Sequence, residues 1–446
     1  MTNALGIVIN SPVRYNEHEF LPSRVWDGGE LKPKFLLLWI AAPMMAWGQI
    51  SQLASSSLLD NSNSRTKKDS DSCHIREVTN LPGSHEFGSH FLEAMAGDPD
   101  PKAKDRNVVW GLTADLSSRV PAQDRALYIS KSTDGGQTWT QVARVGAAYF
   151  DADIGEGERN GLAVSPGGTE FVITTQKGAF QILPQAGKSD AVVKSIHGPR
   201  VPETDPIMTI PKAKGDPVTA GAVKITPNGK AMAVSYGYFD LEPQIITYHK
   251  GRGGSWIEDG PLPSIPTEMD ILSMQFANER NPGPGSLYVG TGDQAFRFHP
   301  QTKKWTRIDG VGDDSAIQGI SMVGGPHLAA CWGVYNPLSA DVVERVTHAQ
   351  FLLHRQSDEA GPDIRAFSIE VDPSRPNREV VTSLTGVYAS SDRGKTWKRL
   401  NELPDGEFRS ALFTSGGTVI VSGIAGTFLA NPFSTTCSPR LRSRNP

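Results

Sequence analysis

From about residue 90 onward one short pattern keeps returning, and no other feature restricts the fold of this chain as strongly. An apolar run meets a turn built of Gly, Pro or Asn. A second apolar run follows, and a third opens on a small or polar residue just before an aromatic one. The first turns read Ser165-Pro-Gly-Gly168, Thr226-Pro-Asn-Gly229, Val323-Gly-Gly325 and Ser415-Gly-Gly417, with Asp372-Pro373 in the same place elsewhere. The third runs open at Ala126, Gly178, Gln294, Gly386 and Gly426. Short apolar runs between turn residues predict strands. Self-similarity at a spacing of roughly 40–60 residues predicts a propeller or a solenoid. Four turn-linked antiparallel strands per unit select the propeller.

Seven units begin near His90, Arg159, Ala220, Asp270, Ile317, Ile364 and Phe408. The last holds only three strands, and residues 74–78 form a strand without a partner. Because a closed ring leaves no free edge, that N-terminal strand is expected to complete the last blade. The expected fold is therefore all-β: a seven-bladed β-propeller with four-stranded antiparallel blades, the last one closed by an N-terminal strand. Cys73 then opens that strand and Cys437 follows the strand antiparallel to it. A disulfide between them would staple the ring; the alternative is two unpaired thiols in frayed ends. Cys331 lies in an apolar run after His327 and reads as a buried thiol. Residues 336–348 are expected to interrupt unit five between its second and third strands.

Composition agrees. The 446 residues include 45 Gly and 32 Pro and are 38% hydrophobic, which excludes a coiled coil, a helical bundle or a polytopic membrane protein. A formal net charge of -4 gives no sign of nucleic-acid binding. Residues 35–42 read FLLLWIAA, behind Lys32 and Lys34 and ahead of Ala46-Trp47-Gly48. That run falls short of the ~20 apolar residues a span needs and fits a signal peptide instead. The expected organisation is a signal peptide over 1–48, whose true start lies nearer Leu31, and a Ser-rich linker over 49–72. The propeller follows over 73–437, then a basic disordered tail over 438–446. The expected location is secreted or periplasmic, with no stable membrane insertion.

Two octapeptides are more specific than the repeat. Ser132-Thr-Asp134-Gly-Gly136-Gln-Thr138-Trp139 and Ser390-Ser-Asp392-Arg-Gly394-Lys-Thr396-Trp397 share one pattern, and each sits between a third and a fourth strand. Asp is expected to accept hydrogen bonds from the turn, Gly to take positive φ, and Trp to pack between sheets. A degenerate copy runs from His249 to Trp256 with Gly251 where the Asp belongs, and a weaker one ends at Trp305. On these motifs residues 74–433 resemble the Asp-box, or bacterial neuraminidase repeat, propellers of the sialidase superfamily. Sortilin-type receptors and photosystem II assembly-factor propellers belong to the same group. The resemblance implies that the box residues lie on the outer rim and are structural.

Entries to the first strands carry a repeated charge pattern: Glu158-Arg159, Asp270, Asp363 with Arg365, and Glu407 with Arg409. Three arginines with interleaved carboxylates suit an anionic group; the alternative is neutralised ion pairs at loop ends. In sialidases, the resemblance implies, an arginine triad holds the substrate carboxylate, a Tyr backed by a Glu attacks, and an Asp is the acid/base. This chain departs from that pattern. Arg119 comes only about a dozen residues before the first box, and the stretch from His90 to Glu93 has no arginine. Asp124 and Tyr335 are the nearest acid/base and nucleophile, and sequence assigns neither a partner. The acidic stretch from Asp151 to Glu158 alternates carboxylates as a Ca²⁺ loop does but lacks the closing Glu of an EF-hand, and a solvated loop is the other reading. His85 and His90 have no third ligand, so no metal site and no cofactor is expected.

The reading is an exported, non-catalytic, monomeric propeller that binds a protein or glycan on one face. The alternative is a glycoside hydrolase or lyase of the sialidase superfamily that uses the arginine cluster to hold an anionic sugar. A third reading, an assembly factor for a membrane complex, expects a wide arginine-rich face.

Overall fold

The computed structural model describes residues 75–83, 91–98, 107–114, 121–150, 161–202, 212–237, 242–267, 269–277, 285–312, 316–331, 333–346 and 366–434. These form seven four-stranded antiparallel sheets. The first strands of the seven blades are Ala94–Gly97, Gly161–Val164, Ala220–Ile225, Ile271–Phe276, Ile317–Ser321, Ala366–Val371 and Ser410–Phe413. Each contacts the first strands of both neighbouring blades, and the first and seventh also meet, so the seven strands ring a central axis. Blade seven takes its fourth strand from the N-terminal side: Arg76 pairs with Leu429 and Glu77 with Phe428.

The core lies between blades. Seven separate apolar clusters occupy the seven junctions, for example Leu162, Phe171 and Phe180 of blade two against Leu112 and Ile129 of blade one. Second strands such as Phe171–Thr175, Glu379–Ser383 and Val419–Gly423 are buried at every position. They sit inside the sheet and are covered on both faces, which is why they read as short continuous runs of β-branched and aromatic residues. Fourth strands such as Lys304–Arg307 form the outer edge and are mostly exposed.

Two expectations are corrected. Residues 336–348 are not an insertion between strands two and three: the second strand ends at Ala330 and the third is Gly333–Pro337, followed by a fourth at Val343–Arg345. The stretch from Leu328 to Tyr335 is apolar apart from Gly333, so its internal turn leaves no polar punctuation. Cys331 lies at that turn, half-buried rather than buried. The signal peptide, the linker, the basic tail, Cys73 and Cys437 all fall outside the described residues. No helix among the described residues is long and apolar enough to cross a membrane.

Candidate functional site

Strand order places the entries to all first strands on one face of the ring, around the mouth of the axis. Of the expected charge cluster, Asp270, Glu407 and Arg409 are described there. Glu158, Arg159, Asp363 and Arg365 lie outside the described residues, as do Arg119, His85, His90 and the acidic stretch from Asp151. On blade seven the Arg409 Nε donates to Glu407 Oε1, with Glu407 nearly buried and Arg409 about one-fifth exposed. The Arg409 backbone N–H donates to the Ser422 carbonyl (2.8 Å), which holds this pair at the rim. Asp270 enters on blade four, where its carbonyl accepts from the Gly292 N–H at 3.1 Å.

The structure separates the two catalytic candidates. Tyr335 is buried in the cluster between blades four and five, beside Ile308, Leu328 and Val343. Asp124 is exposed on blade one, ahead of the third strand Ala126–Ser132. Other tyrosine hydroxyls are tied up in the blade walls. Tyr236 and Tyr248 share a 2.8 Å hydrogen bond, and Tyr248 donates to the His197 carbonyl at 2.8 Å. Burial pushes the Tyr236 phenol up to about 12 and that of Tyr248 higher still. Among the described residues no three or more His, Cys, Asp or Glu side chains gather as metal ligands.

Both octapeptides form the expected turn. Asp134 accepts from the Thr138 N–H (2.9 Å) and hydroxyl (2.6 Å) and from the Ser132 hydroxyl (2.8 Å), while Ser132 Oγ accepts from the Gly136 N–H at 2.8 Å. The second copy repeats these bonds through Asp392, Thr396, Ser390 and Gly394, all between 2.7 and 2.9 Å. Burial opposes the charge on both aspartates, but these bonds outweigh it and hold each carboxyl below its ordinary value. Trp139 closes the junction of blades one and seven against Ile420 and Leu429, and Trp397 packs at that of blades five and six. With their acceptor oxygens engaged in their own turns, these aspartates hold hairpins.

Below the mouth lies a layer that sequence reading passed over. Lys224, Gln275 and Glu370 hold the same place in the first strands of blades three, four and six, one residue before the strand end, and all three are half-buried. Burial holds the Lys224 ammonium below its ordinary value and pushes Glu370 up to about 7, each shift being offset in part by the other's charge. A signal for them existed: Val-Lys-Ile, Met-Gln-Phe and Ile-Glu-Val each place one polar residue between two apolar ones, and each of those apolar neighbours is a core residue.

No protein-family model matches this chain, and no curated protein does. Among solved structures it is similar to YCF48 from Cyanidioschyzon merolae at 13% identity and a TM-score of 0.48, covering 80% of this chain and 98% of that one. The extracellular domain of BT4673 from B. thetaiotaomicron is similar at 12% identity and a TM-score of 0.49, covering 80% and 39%. PorZ, a surface component of the type-IX secretion system of Porphyromonas gingivalis, is similar at 13% and 0.48, covering 77% and 46%.

Proposed function

We propose that this chain is an exported, monomeric, non-catalytic propeller that binds a protein or glycan partner on the face where the first strands begin. The observation that carries the reading is the arrangement at that face. Arg409 and Glu407 stand together at the mouth, while Tyr335 is sealed in the blade four–five core and Asp124 stands on blade one. A half-buried guanidinium at the rim recognises an acidic group on a partner, whereas glycoside cleavage needs a nucleophile and an acid facing the same substrate.

The test is a fluorogenic glycoside panel, including a sialoside, on the purified full chain, together with partner capture from the exported proteome. The expected outcome is no turnover and a captured partner that is lost with Arg409→Ala. Turnover that Arg409→Ala abolishes would make Arg409 part of a substrate carboxylate clamp and establish the glycosidase alternative instead.

A further inference from the structure

The axis carries charges that face binding leaves unused. Lys224 of blade three and Glu370 of blade six stand three blades apart on a seven-blade ring, and each is the charged neighbour that the other feels most. Cross-strand register pairs Lys224 with Ala233, Gln275 with Tyr288 and Glu370 with Val380, so the three side chains share one level. None of the three has a hydrogen-bond partner among the described residues. At the same level blades five and seven present Ile320 and Leu412, aliphatic and half-buried. One step towards the mouth, the Ser410 hydroxyl is buried and also without a partner among the described residues.

A half-buried ammonium and carboxylate that do not touch cost free energy unless water or a ligand completes their hydrogen bonds. Their placement gives the axis one positive wall, where the Gln275 amide adds a second donor, and one negative wall. We propose that this level of the channel binds a small zwitterion, an amino acid whose carboxylate meets Lys224 and Gln275 and whose ammonium meets Glu370. Its carbon chain lies against Ile320 and Leu412. A ligand with a single charge satisfies one wall and leaves the other charge desolvated, so the site discriminates against simple carboxylates and simple amines. The Ser410 hydroxyl, on the blade next to Glu370, offers an acceptor on the ammonium side. This site is distinct from the rim pair Glu407–Arg409 and does not depend on it.

Calorimetric titration of the full chain with glycine, β-alanine and γ-aminobutyrate, three zwitterions of increasing charge separation, tests the proposal. Acetate and ethylammonium serve as controls. The expected result is saturable binding of at least one zwitterion, with both controls at least about tenfold weaker. Lys224→Met and Glu370→Gln should each weaken that binding by at least about tenfold, while Lys304→Ala on the outer edge of blade four leaves it unchanged. Should either single variant misfold, the double variant Lys224→Met/Glu370→Leu carries no unpaired charge and is expected to fold and not to bind. No saturable heat from any zwitterion at millimolar concentration, acetate binding as tightly as the zwitterions, or binding retained in the folded double variant would each overturn the proposal.

Discussion

At the junction of blades five and six, His327 is surrounded by acceptors. Its Nε2 lies 3.1 Å from the Val323 carbonyl, and its Nδ1 lies 3.0 Å from Asn336 Oδ1 and 3.4 Å from Glu379 Oε1. The Asn336 amide is oriented by Nδ2, which donates to Glu379 Oε1 (3.2 Å) and to the Arg393 carbonyl (2.8 Å). Both ring nitrogens therefore face hydrogen-bond acceptors. Burial disfavours charge on each partner. It pushes Glu379 up to about 7, with the Asn336 bond and Arg393 pulling down and Asp392 pushing up. It also holds His327 below its ordinary value, against the bonds from Asn336 and Val323 and together with the Arg393 charge.

A carboxyl with a raised folded-state pKa stabilises the fold fully below its ordinary value, and that stabilisation is lost as pH rises through about 7. A histidine with a lowered pKa acts in the opposite sense, but only below its ordinary value of 6.5. The net expectation is a thermal midpoint that falls between about pH 6.5 and 8, with Glu379→Gln flattening that fall in a pH series of melting curves. A wild-type curve level through pH 7 would show that the pair does not limit stability. Sequence offered no sign of this pair, because its members come from different blades.

Hairpin turns show how much one element can be read locally. Gly136 and Gly394 take positive φ, and a Cβ on Gly136 would meet Ile420 Cδ1 at 2.7 Å, so the glycine also lets blade one close on blade seven. Asp392→Ala removes an acceptor of several turn hydrogen bonds and is expected to cost about 1–2 kcal/mol in denaturant unfolding. The degenerate copy solves the same problem from outside. Its turn is closed by the Gly251 N–H donating to the Ser255 carbonyl at 2.9 Å, with no carboxylate of its own. Glu170 of blade two reaches across instead, accepting from the Trp256 indole N–H at 2.6 Å and from the Lys250 ammonium. Lys250 also lies 4.7 Å from the centre of the Trp256 ring. Glu170→Ala strands a poorly exposed ammonium and is expected to cost about 3 kcal/mol, read by denaturant unfolding followed through tryptophan fluorescence. The missing Asp at Gly251 was visible in the chain, but its replacement was not, since the substitute stands on a different blade.

Ring closure belongs to the whole molecule. Arg76 and Glu77 are exposed and make only two pairings, yet they cover the edge formed by Phe428 and Leu429. A chain that begins at Val78 is expected to melt at lower temperature and to be cut first in blade seven under limited proteolysis. Equal protease resistance of the shortened and full chains would mean that the ring closes without this strand. The blade count, the order of strands and the two octapeptide turns could be read from the sequence because each depends on residues within a few positions of one another. The pairing of Glu407 with Arg409 was legible for the same reason. Lys224 and Glu370 were not, although each stood out as a polar residue between two apolar ones. Strand periodicity says which way a side chain faces its own sheet, but only the closing of seven blades into a ring decides which side chains then face each other across the axis.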